Sequence, residues 1–336
     1  MTEPLLLHDL NQGELIALMS SWDEPRFRAD QLWRWMYRSY AADFEAMANL
    51  PLGLRTRLAS EATVAPLFPK AEQVSVTGDT RKVLFGLRDG TTIESVLMQY
   101  HSRQTACIST QAGCGMGCTF CATGQGGLVR NLSAGEIVGQ VLYFAREVRL
   151  SAIERAKAES RQADIPVHPV THVVLMGMGE PLANYEATWK AIETLTHAEG
   201  YSLGARRITV STVGLVPGIQ RLVEDSLPVN LAVSLHAPSD ELRSQLVPIN
   251  QRYPLSDLMA AVQRYCDVTR RRVTFEYALI AGLNDAPREA QDLARLLKGV
   301  LCHVNLIPLN PTPGSHLRPS PRSKVLALRD LLASAG

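Results

Sequence analysis

The sequence lacks an excess of charge of either sign. Its 336 residues contain 34 Lys and Arg against 33 Asp and Glu, which gives a formal net charge of +1. A strongly basic composition would favour nucleic acid or an anionic surface as a partner, and this composition gives no such global signal. Any contact with nucleic acid is therefore expected to depend on a local basic patch.

Long apolar runs and a secretory leader pattern are also missing. No stretch approaches the roughly 20 apolar residues that a membrane-spanning helix needs. The first residues, MTEPLLLHDLNQGEL, carry acids among the apolar positions and have no basic n-region. The hydrophobic share of 46% is ordinary for a globular protein. We therefore expect a cytoplasmic protein with one large domain, or a large domain with a small companion.

Cysteine is scarce, but it is concentrated in one place. Of six cysteines, three fall in the octapeptide CGMGCTFC, as Cys114, Cys118 and Cys121. In a cytoplasmic protein such a group is more typical of metal binding or catalysis than of disulfides. A structural zinc site needs four ligands, and no CxxC or HxxxH partner is visible. Three thiolates on one loop favour a [4Fe–4S] cluster that leaves one iron open, because such clusters normally take four cysteines.

The chain before this loop shows two different sequence patterns. Residues 1–75 show apolar positions at helical spacing and predict a small, all-α accessory domain. Residues 76–103 read as a β-hairpin extension around the turn RDG. Within the helical part, 25–38 mixes basic and aromatic residues, which indicates either an RNA-contacting surface or an amphipathic helix with a solvated basic face. These residues are Arg26, Arg28, Arg34, Arg38, Phe27, Trp33, Trp35 and Tyr37.

From residue 104 onward, strand and helix patterns alternate. Six apolar strands separated by helices predict a parallel α/β sheet, either open or as a partial barrel. In both cases ligands bind at the carboxyl ends of the strands. Polar residues follow or end several of these strands: Glu180 in GMGEP, Ser211, Ser234, His236 and Asn310. Each has a structural alternative, because Glu180 could cap a helix and His236 could be a satisfied core residue.

These motifs together resemble the radical S-adenosylmethionine (SAM) RNA methyltransferases of the RlmN/Cfr type, which modify C2 of adenine. The resemblance covers nearly the whole chain. It implies a partial (βα)6 barrel over residues 104–336, preceded by the hairpin extension and the N-terminal domain. The matching segments are FRADQLWRWMY, CISTQAGCGMGCTFCATGQGGLVRNLSAGEIVGQV, VVLMGMGEPLANY, ITVSTVGLVPGI, LAVSLHAPSDELRSQLVPIN and VNLIPLNPTPGS.

The resemblance also implies a reaction. In this family the open iron of the cluster chelates the amino and carboxylate groups of SAM, and one electron cleaves SAM to a 5′-deoxyadenosyl radical. A radical is needed because C2 of adenine is electron-poor and cannot attack the sulfonium methyl group directly. The implied substrates are an adenine of 23S ribosomal RNA near the peptidyl-transferase centre and an adenine next to the tRNA anticodon. The implied partners are a reducing electron donor such as flavodoxin and no second subunit.

Site residues follow from the resemblance position by position. Cys107 matches the cysteine that resolves a covalent RNA adduct, and Glu94 matches the carboxylate that accepts a proton. From the residues alone, Cys107 reads as a small buried hydrophobe and Glu94 as the polar side of a hairpin strand. The implied cluster ligands are Cys114, Cys118 and Cys121, and the implied SAM contacts are Phe120 against the adenine, Gly179, Glu180, Ser211, Ser234, Leu235, His236 and Asn310.

One family feature is missing from this sequence. In the family, a segment like SKVLALRDLLASAG leads to a further strand and a methyl-carrying cysteine, whereas this sequence ends at Gly336. Cys266 lies on an apolar helix face, and Cys302 opens the last strand, about 20 Å from the strand ends at ~3.3 Å per residue. We expect a sequence cut short rather than a lost carrier, because Cys107 and Glu94 are both present. Two alternatives stay open: a radical-SAM enzyme of another reaction, and a non-catalytic RNA-binding iron–sulfur protein.

Overall fold

The computed structural model describes residues 3–160, 162, 166, 168–312 and 315–335. Its contacts divide the chain into two compact units. Unit 1 comprises the described residues of Met1–Ala112, Asn131–Gly177 and Glu186–Ile208. Unit 2 comprises those of Gly113–Arg130, Met178–Tyr185 and Thr209–Gly336.

The described chain folds into strands, helices and short 3-10 turns. The strands are β1 Leu5–Leu6, β2 Ala62–Thr63, β3 Leu67–Val74, β4 Thr80–Leu87, β5 Thr92–Gln99, β6 Gln104–Cys107, β7 Gln111–Gly113, β8 Leu128–Asn131, β9 His172–Leu175, β10 Ile208–Thr212, β11 Asn230–Ser234, β12 Val273–Leu279 and β13 Cys302–Pro308. The helices are α1 Gln12–Ser21, α2 Phe27–Tyr37, α3 Leu52–Glu61, α4 Ala122–Gln125, α5 Ala134–Ala158, α6 Tyr185–Thr196, α7 Val216–Glu224, α8 Asp240–Leu246, α9 Leu255–Thr269, α10 Pro287–Leu296 and α11 Arg322–Ser334. The 3-10 turns occupy Leu7–Asp9, Pro181–Asn184, Ala205–Arg207 and Pro248–Gln251. None of the helices in the described part of the chain has the length and hydropathy needed to cross a membrane.

Unit 1 contains a mixed sheet. Strands β3, β4, β5 and β6 pair in antiparallel fashion in that order, and β6 pairs with β9 in parallel. The predicted hairpin is present as β4 and β5. Strand β3 was not foreseen, because its residues LFPKAEQV are almost all exposed and show no apolar alternation. Its order comes from pairing with β4, which local sequence does not reveal.

The N-terminal helices pack within unit 1. Trp33 and Tyr37 are buried, and the Trp33 ring lies 5.3 Å from that of His197 in a T-shaped arrangement. The Asp9 carboxylate accepts a hydrogen bond of 2.7 Å from the amide of Gly135 at the start of α5. Two of the four aromatic residues of 25–38 are therefore core, as the amphipathic alternative expected, while Phe27 and three of the four arginines are exposed.

Helix α5 is defined by a local signal at its first residues and is the longest helix of the described chain. The helix begins with a capping box, in which the Ser133 side chain accepts from the amide of Glu136 and the Glu136 carboxylate accepts from the amide of Ser133. The helix continues to Ala158, so the charged stretch after its apolar part is also helical.

Unit 2 contains the parallel strands β10, β11, β12 and β13 in sequential order. Helices α7 to α10 lie between them along the chain, as the alternating pattern predicted. The register aligns Ser211 with Ala232, Ser234 with Glu276, and Glu276 with Asn305. Because side chains alternate along a strand, one face of this sheet carries a polar row at its carboxyl half.

Candidate functional site

The cysteine loop of unit 2 begins at a position that requires glycine. Gly113 has a φ of +76°, and a Cβ there would collide with the carbonyl oxygen of Gly127. The next residue, Cys114, donates its amide to that same oxygen at 2.8 Å. Gly113 and Gly127 thus bring the two ends of the loop together, and the three cysteines lie between them in the sequence.

The middle of the loop is anchored to helix α8. The amide of Thr119 donates a hydrogen bond of 3.0 Å to the carbonyl of Leu246, at the end of that helix. Cys118 is 6% exposed and packs in an apolar cluster that includes Leu246 and Val247. The loop is therefore held in place by the apolar packing of Cys118 as well as by backbone hydrogen bonds.

Burial sets the chemistry of the thiols. It raises the pKa of Cys118 to about 12, and the charges of Cys121, Cys114 and Glu180 contribute to that rise. Burial also raises the pKa of Cys114, to which Glu180 and Cys121 add. Metal ligands must be thiolates, so Cys114 and Cys118 need a cationic centre that displaces their protons.

The arrangement fits a cluster better than a single ion. Over the described residues, no three His, Cys, Asp or Glu side chains converge as ligands of one metal ion. The sulfurs of a zinc site must all lie about 2.3 Å from the same atom. In an iron–sulfur cluster each cysteine binds a different iron, so the sulfurs stand further apart. Three cysteines on one loop agree with a [4Fe–4S] cluster that leaves one iron open, and the roles of Cys114, Cys118 and Cys121 as its ligands stay a prediction.

Glu180 is a buried carboxylate in the segment GMGEP. Its Oε1 accepts from the amide of Leu182 at 3.1 Å, and its Oε2 accepts from the amide of Val213 at 2.9 Å. Burial raises its pKa to about 7, although these amides and the Thr212 hydroxyl lower it. The capping role considered as an alternative is thus present. A carboxylate has about four acceptor positions, so these two hydrogen bonds do not exclude the ammonium of SAM. Binding of that ammonium to Glu180 stays a prediction.

His236 adopts an unusual backbone conformation at the end of β11. Its φ is +61°, in the left-handed region, and its Nδ1 accepts from the amide of Ala278 at 2.9 Å. The remaining ring proton is therefore assigned to Nε2. Burial lowers its pKa to about 3, so the ring is neutral. Phe120 stands edge-on to this ring at 4.6 Å. The contact of Phe120 with the SAM adenine stays a prediction.

The other implied SAM contacts lie in the same unit. Ser211 and Ser234 are half-buried on one sheet face, and Gly179 has a φ of +102° that favours glycine. Leu235 is fully buried and donates its amide to the carbonyl of Glu276 at 3.0 Å. Asn310 is exposed just after β13. Cluster and SAM residues thus all belong to unit 2, and their contact with SAM stays a prediction.

Sequence reasoning missed one buried cation in this unit, Arg243 of α8. Its side chain is fully buried and donates four hydrogen bonds. The acceptors are the carbonyls of Leu235 at 3.1 Å, Val213 at 2.5 Å and Ser234 at 3.2 Å, and Oδ1 of Asn250 at 2.8 Å. The sequence could have predicted this burial, because Arg243 lies three residues before Leu246 and therefore on the same, buried face of the helix.

Glu94 and Cys107 belong to unit 1, where the register relates them. Val96 of β5 pairs with Cys107 of β6, and Glu94 lies two residues from Val96, so both side chains are on one face. The Lys82 ammonium lies 3.1 Å from the Glu94 carboxylate on this face. Burial raises the pKa of Cys107 to about 11. Their catalytic roles stay predictions, but their common face was not visible from the sequence.

Comparison with known proteins first gives the class. The family model described as the Radical SAM superfamily matches residues 108–294. A solved structure of TYW1 with a lysine-pyruvate adduct has the same fold, with a TM-score of 0.50 and 14% identity over 85% of this chain and 90% of that one. The fold and the family model are those of a radical SAM protein, a superfamily that uses a [4Fe–4S] cluster and SAM.

Closer relatives then give the family. A model described as the ribosomal RNA large subunit methyltransferase N-terminal domain matches residues 6–64. A radical SAM methyltransferase from Sphaerobacter thermophilus has 49% identity and a TM-score of 0.91, over 99% of this chain and 93% of that one. A probable dual-specificity RNA methyltransferase RlmN from Chloroflexus aurantiacus is 50% identical over 99% of this chain and 88% of its own length. The chain belongs to the RlmN family.

Proposed function

We propose that this protein methylates C2 of adenine in 23S ribosomal RNA and in tRNA by radical SAM chemistry. The observation that carries this proposal is the 50% identity, over 99% of the chain, to a relative described as a dual-specificity RNA methyltransferase. The cysteine loop with its buried Cys114 and Cys118, and the carboxylate on the face of Cys107, are consistent with it.

The residues of unit 2 hold the cofactors in this proposal. Cys114, Cys118 and Cys121 hold the cluster, and Glu180 accepts the ammonium of SAM with help from the strand-end residues. When bound, the cluster supplies the electron that cleaves SAM. The apolar packing around Cys118 excludes water from this side of the loop, which protects a reactive species from side reactions.

The residues of unit 1 serve the RNA step. Glu94 accepts the proton that adenine loses, and Lys82 orients its carboxylate through the 3.1 Å ion pair. As the resemblance implies, Cys107 resolves the protein–RNA adduct by forming a disulfide with the methyl-carrying cysteine, while the carbon–sulfur bond between that cysteine and the methylated adenine breaks. Because burial raises its pKa to about 11, Cys107 is a thiol at neutral pH and needs a base before it can attack. Glu94, which can accept a proton, and Cys107, whose thiol must lose one before it reacts, thus lie on the same face of the sheet.

The accessory parts complete the proposal. We assign 1–75 as an RNA-binding domain, 76–103 as a hairpin extension and 104–336 as the catalytic barrel. The exposed Arg26 and Arg34 of the N-terminal domain, and Arg28 stacked 4.6 Å over the Phe27 ring, are suited to phosphates and bases. We further propose a cytoplasmic monomer that receives its electron from a donor such as flavodoxin. Thiolate ligands and ribosomal or transfer RNA are both found in that reducing compartment.

A cellular assay tests the function. The complete gene is expressed in bacteria that lack adenine-C2 methylation of their own, and digested ribosomal and transfer RNA are examined by mass spectrometry. We expect 2-methyladenosine in both RNAs, and none with the Cys118→Ala variant. Methylation at another adenine position, or SAM cleavage with no RNA product at all, would show that the chemistry is that of a different radical SAM enzyme.

A further inference from the structure

Arg243 is a buried cation that hydrogen-bonds to uncharged groups. Three of its acceptors are backbone carbonyls and the fourth is the amide oxygen of Asn250. No part of its side chain reaches solvent. Burial lowers the pKa of Arg243 to about 10, which still leaves it charged at neutral pH. An isolated buried charge costs several kcal/mol even after relaxation.

The described protein groups do not supply a direct counter-ion for this charge. Within the described residues, no carboxylate lies at ion-pair distance from Arg243. The carboxylate of Asp240 acts on it only from further away, and its Oδ1 is already bonded to Asn250 and to the amide of Leu255. The other group whose negative charge would act on Arg243 is Cys118, once it is a thiolate ligand of the cluster.

Arg243 and the cysteine loop meet on one helix. Arg243 lies one turn before Leu246 and Val247, which pack against Cys118. The carbonyl of Leu246 accepts the amide of Thr119 at 3.0 Å, so the loop is attached to the helix that carries the guanidinium. The charge is therefore fixed relative to Cys118 by backbone bonds.

We propose that Arg243 is the counter-charge of the cluster held by Cys114, Cys118 and Cys121, and that its charge raises the cluster's reduction potential. This inference rests on the cluster in the proposed function. A thiolate-bound cluster is anionic and gains one more negative charge on reduction. A fixed positive charge in a water-poor surrounding stabilises the reduced form more than the oxidised form. Arg243 is thus a positioning residue that eases electron entry.

A purely structural role is the alternative. Three of the four hydrogen bonds join the ends of β10 and β11 to α8, and the fourth joins α8 to the 3-10 turn that holds Asn250, so their loss would also disturb the loop. Charge and hydrogen bonding must therefore be changed separately. Arg243→Lys keeps the charge and loses the planar fork, whereas Arg243→Gln keeps a donor and loses the charge.

Asn250 supplies a second pair of variants that leaves the guanidinium in place. Asn250→Asp adds a negative charge at an atom already bonded to Arg243, and Asn250→Ala removes that bond without adding charge. This pair tests the inference even if Arg243→Gln does not fold.

The measurement is a redox titration of the reconstituted cluster in the five proteins, followed by electron paramagnetic resonance without SAM or RNA. We expect Arg243→Gln and Asn250→Asp to shift the midpoint potential to more negative values. The expected change is at least tenfold in the reduction equilibrium, which is about 59 mV for one electron. Arg243→Lys and Asn250→Ala should stay near the wild-type value.

The outcomes separate this inference from the proposed function. Equal potentials in all folded variants would overturn it, and equal shifts in all four would assign Arg243 a packing role alone. If the wild-type protein assembles no cluster, the proposed function itself fails, and the titration has no signal to compare.

Discussion

The cysteine loop of unit 2 and the Glu94–Cys107 face of unit 1 differ in how they are built. The loop is a continuous segment in which Cys118 is covered by an apolar cluster, Cys121 packs against that cluster, and the amide of Thr119 is bonded to α8. The sheet face joins residues from separate strands through register, and its Glu94 and Lys82 side chains are 45% and 41% exposed. A cofactor that must stay protected favours the first construction. A large RNA substrate that must reach the reacting groups favours the second.

Damage to the two regions should therefore have separable effects. Changes in the loop should remove the cofactor and with it all chemistry. Changes on the sheet face should leave SAM cleavage intact and affect only the RNA product. Point variants can test this separation, starting with the largest expected effect.

Cys118→Ala should abolish the cluster. The variant removes the most strongly buried ligand of the loop, and two cysteines cannot hold a [4Fe–4S] cluster. Anaerobic reconstitution followed by iron analysis should give about four irons for the wild-type protein and close to none for the variant. Cleavage of SAM to 5′-deoxyadenosine should disappear as well. Cys302→Ala is the matched control and should keep its iron, whereas tight zinc binding by the wild type without iron would contradict the cluster assignment.

Cys107→Ala should stop product formation without stopping SAM cleavage. Expressed from the complete gene, the variant should accumulate a covalent protein–RNA adduct, because the adduct forms and is not resolved. A denaturing gel with labelled RNA would detect it, together with loss of 2-methyladenosine. Cys266→Ala, which changes a buried cysteine of α9, should give normal product. Normal methylation by the Cys107 variant would exclude the resolving role.

Glu180→Gln should weaken SAM binding and remove its pH dependence. Because the pKa of Glu180 is raised to about 7, the carboxylate that pairs with the ammonium forms only as pH rises through that value. Wild-type SAM affinity should therefore increase between about pH 6 and 8, and the variant should be on the order of tenfold weaker with a flat profile. Equilibrium dialysis with reconstituted protein measures both. A parallel pH profile in the variant would mean that Glu180 only caps the turn.

The raised pKa of Glu180 also makes the free energy of unfolding depend on pH, and this dependence has the opposite sign to that of SAM affinity. The folded pKa of Glu180 lies above the unfolded value of 4.5, so the folded state holds the proton more tightly. Its contribution to the free energy of unfolding is fully present below about pH 4.5 and falls as pH rises to about 7. For the cofactor-free protein, the stability of Glu180→Gln relative to wild type should rise over this window by at most about 3 kcal/mol. Thermal unfolding at several pH values would show it, and a constant difference would contradict it.

Charge reversal in the N-terminal domain should have the smallest effect. Arg26→Glu with Arg34→Glu should weaken RNA binding several-fold and lower its salt dependence, because exposed arginines contact phosphates. SAM cleavage without RNA should be unchanged. Deleting residues 1–75 would be a poor test, since it removes the packing of Trp33 and the Asp9 cap of α5. Glu61→Lys, at the exposed end of α3, is a control that should not weaken binding, and equal RNA affinity in all variants would make the domain structural.

Much of this molecule was predictable because its signals are local. The parallel strands β6 and β9 to β13, the capping box of Ser133 and the cysteine spacing each depend on residues close in sequence. Strand β3 was not predictable, because exposed polar residues become a strand only through pairing with β4. Arg243 was not singled out, because an arginine in an amphipathic helix is usually solvated.

The sequence by itself indicated the class of chemistry, since three thiols within eight residues, with no visible fourth ligand, favour an open cluster over a closed zinc site. The tertiary structure decided the environment of each group. It gave Glu180 two backbone donors, put Glu94 and Cys107 on one sheet face, and buried Arg243 against carbonyls near Cys118. Ligand identity is a property of residue type and local spacing, whereas pKa and partner choice depend on burial and on contacts between residues distant in sequence.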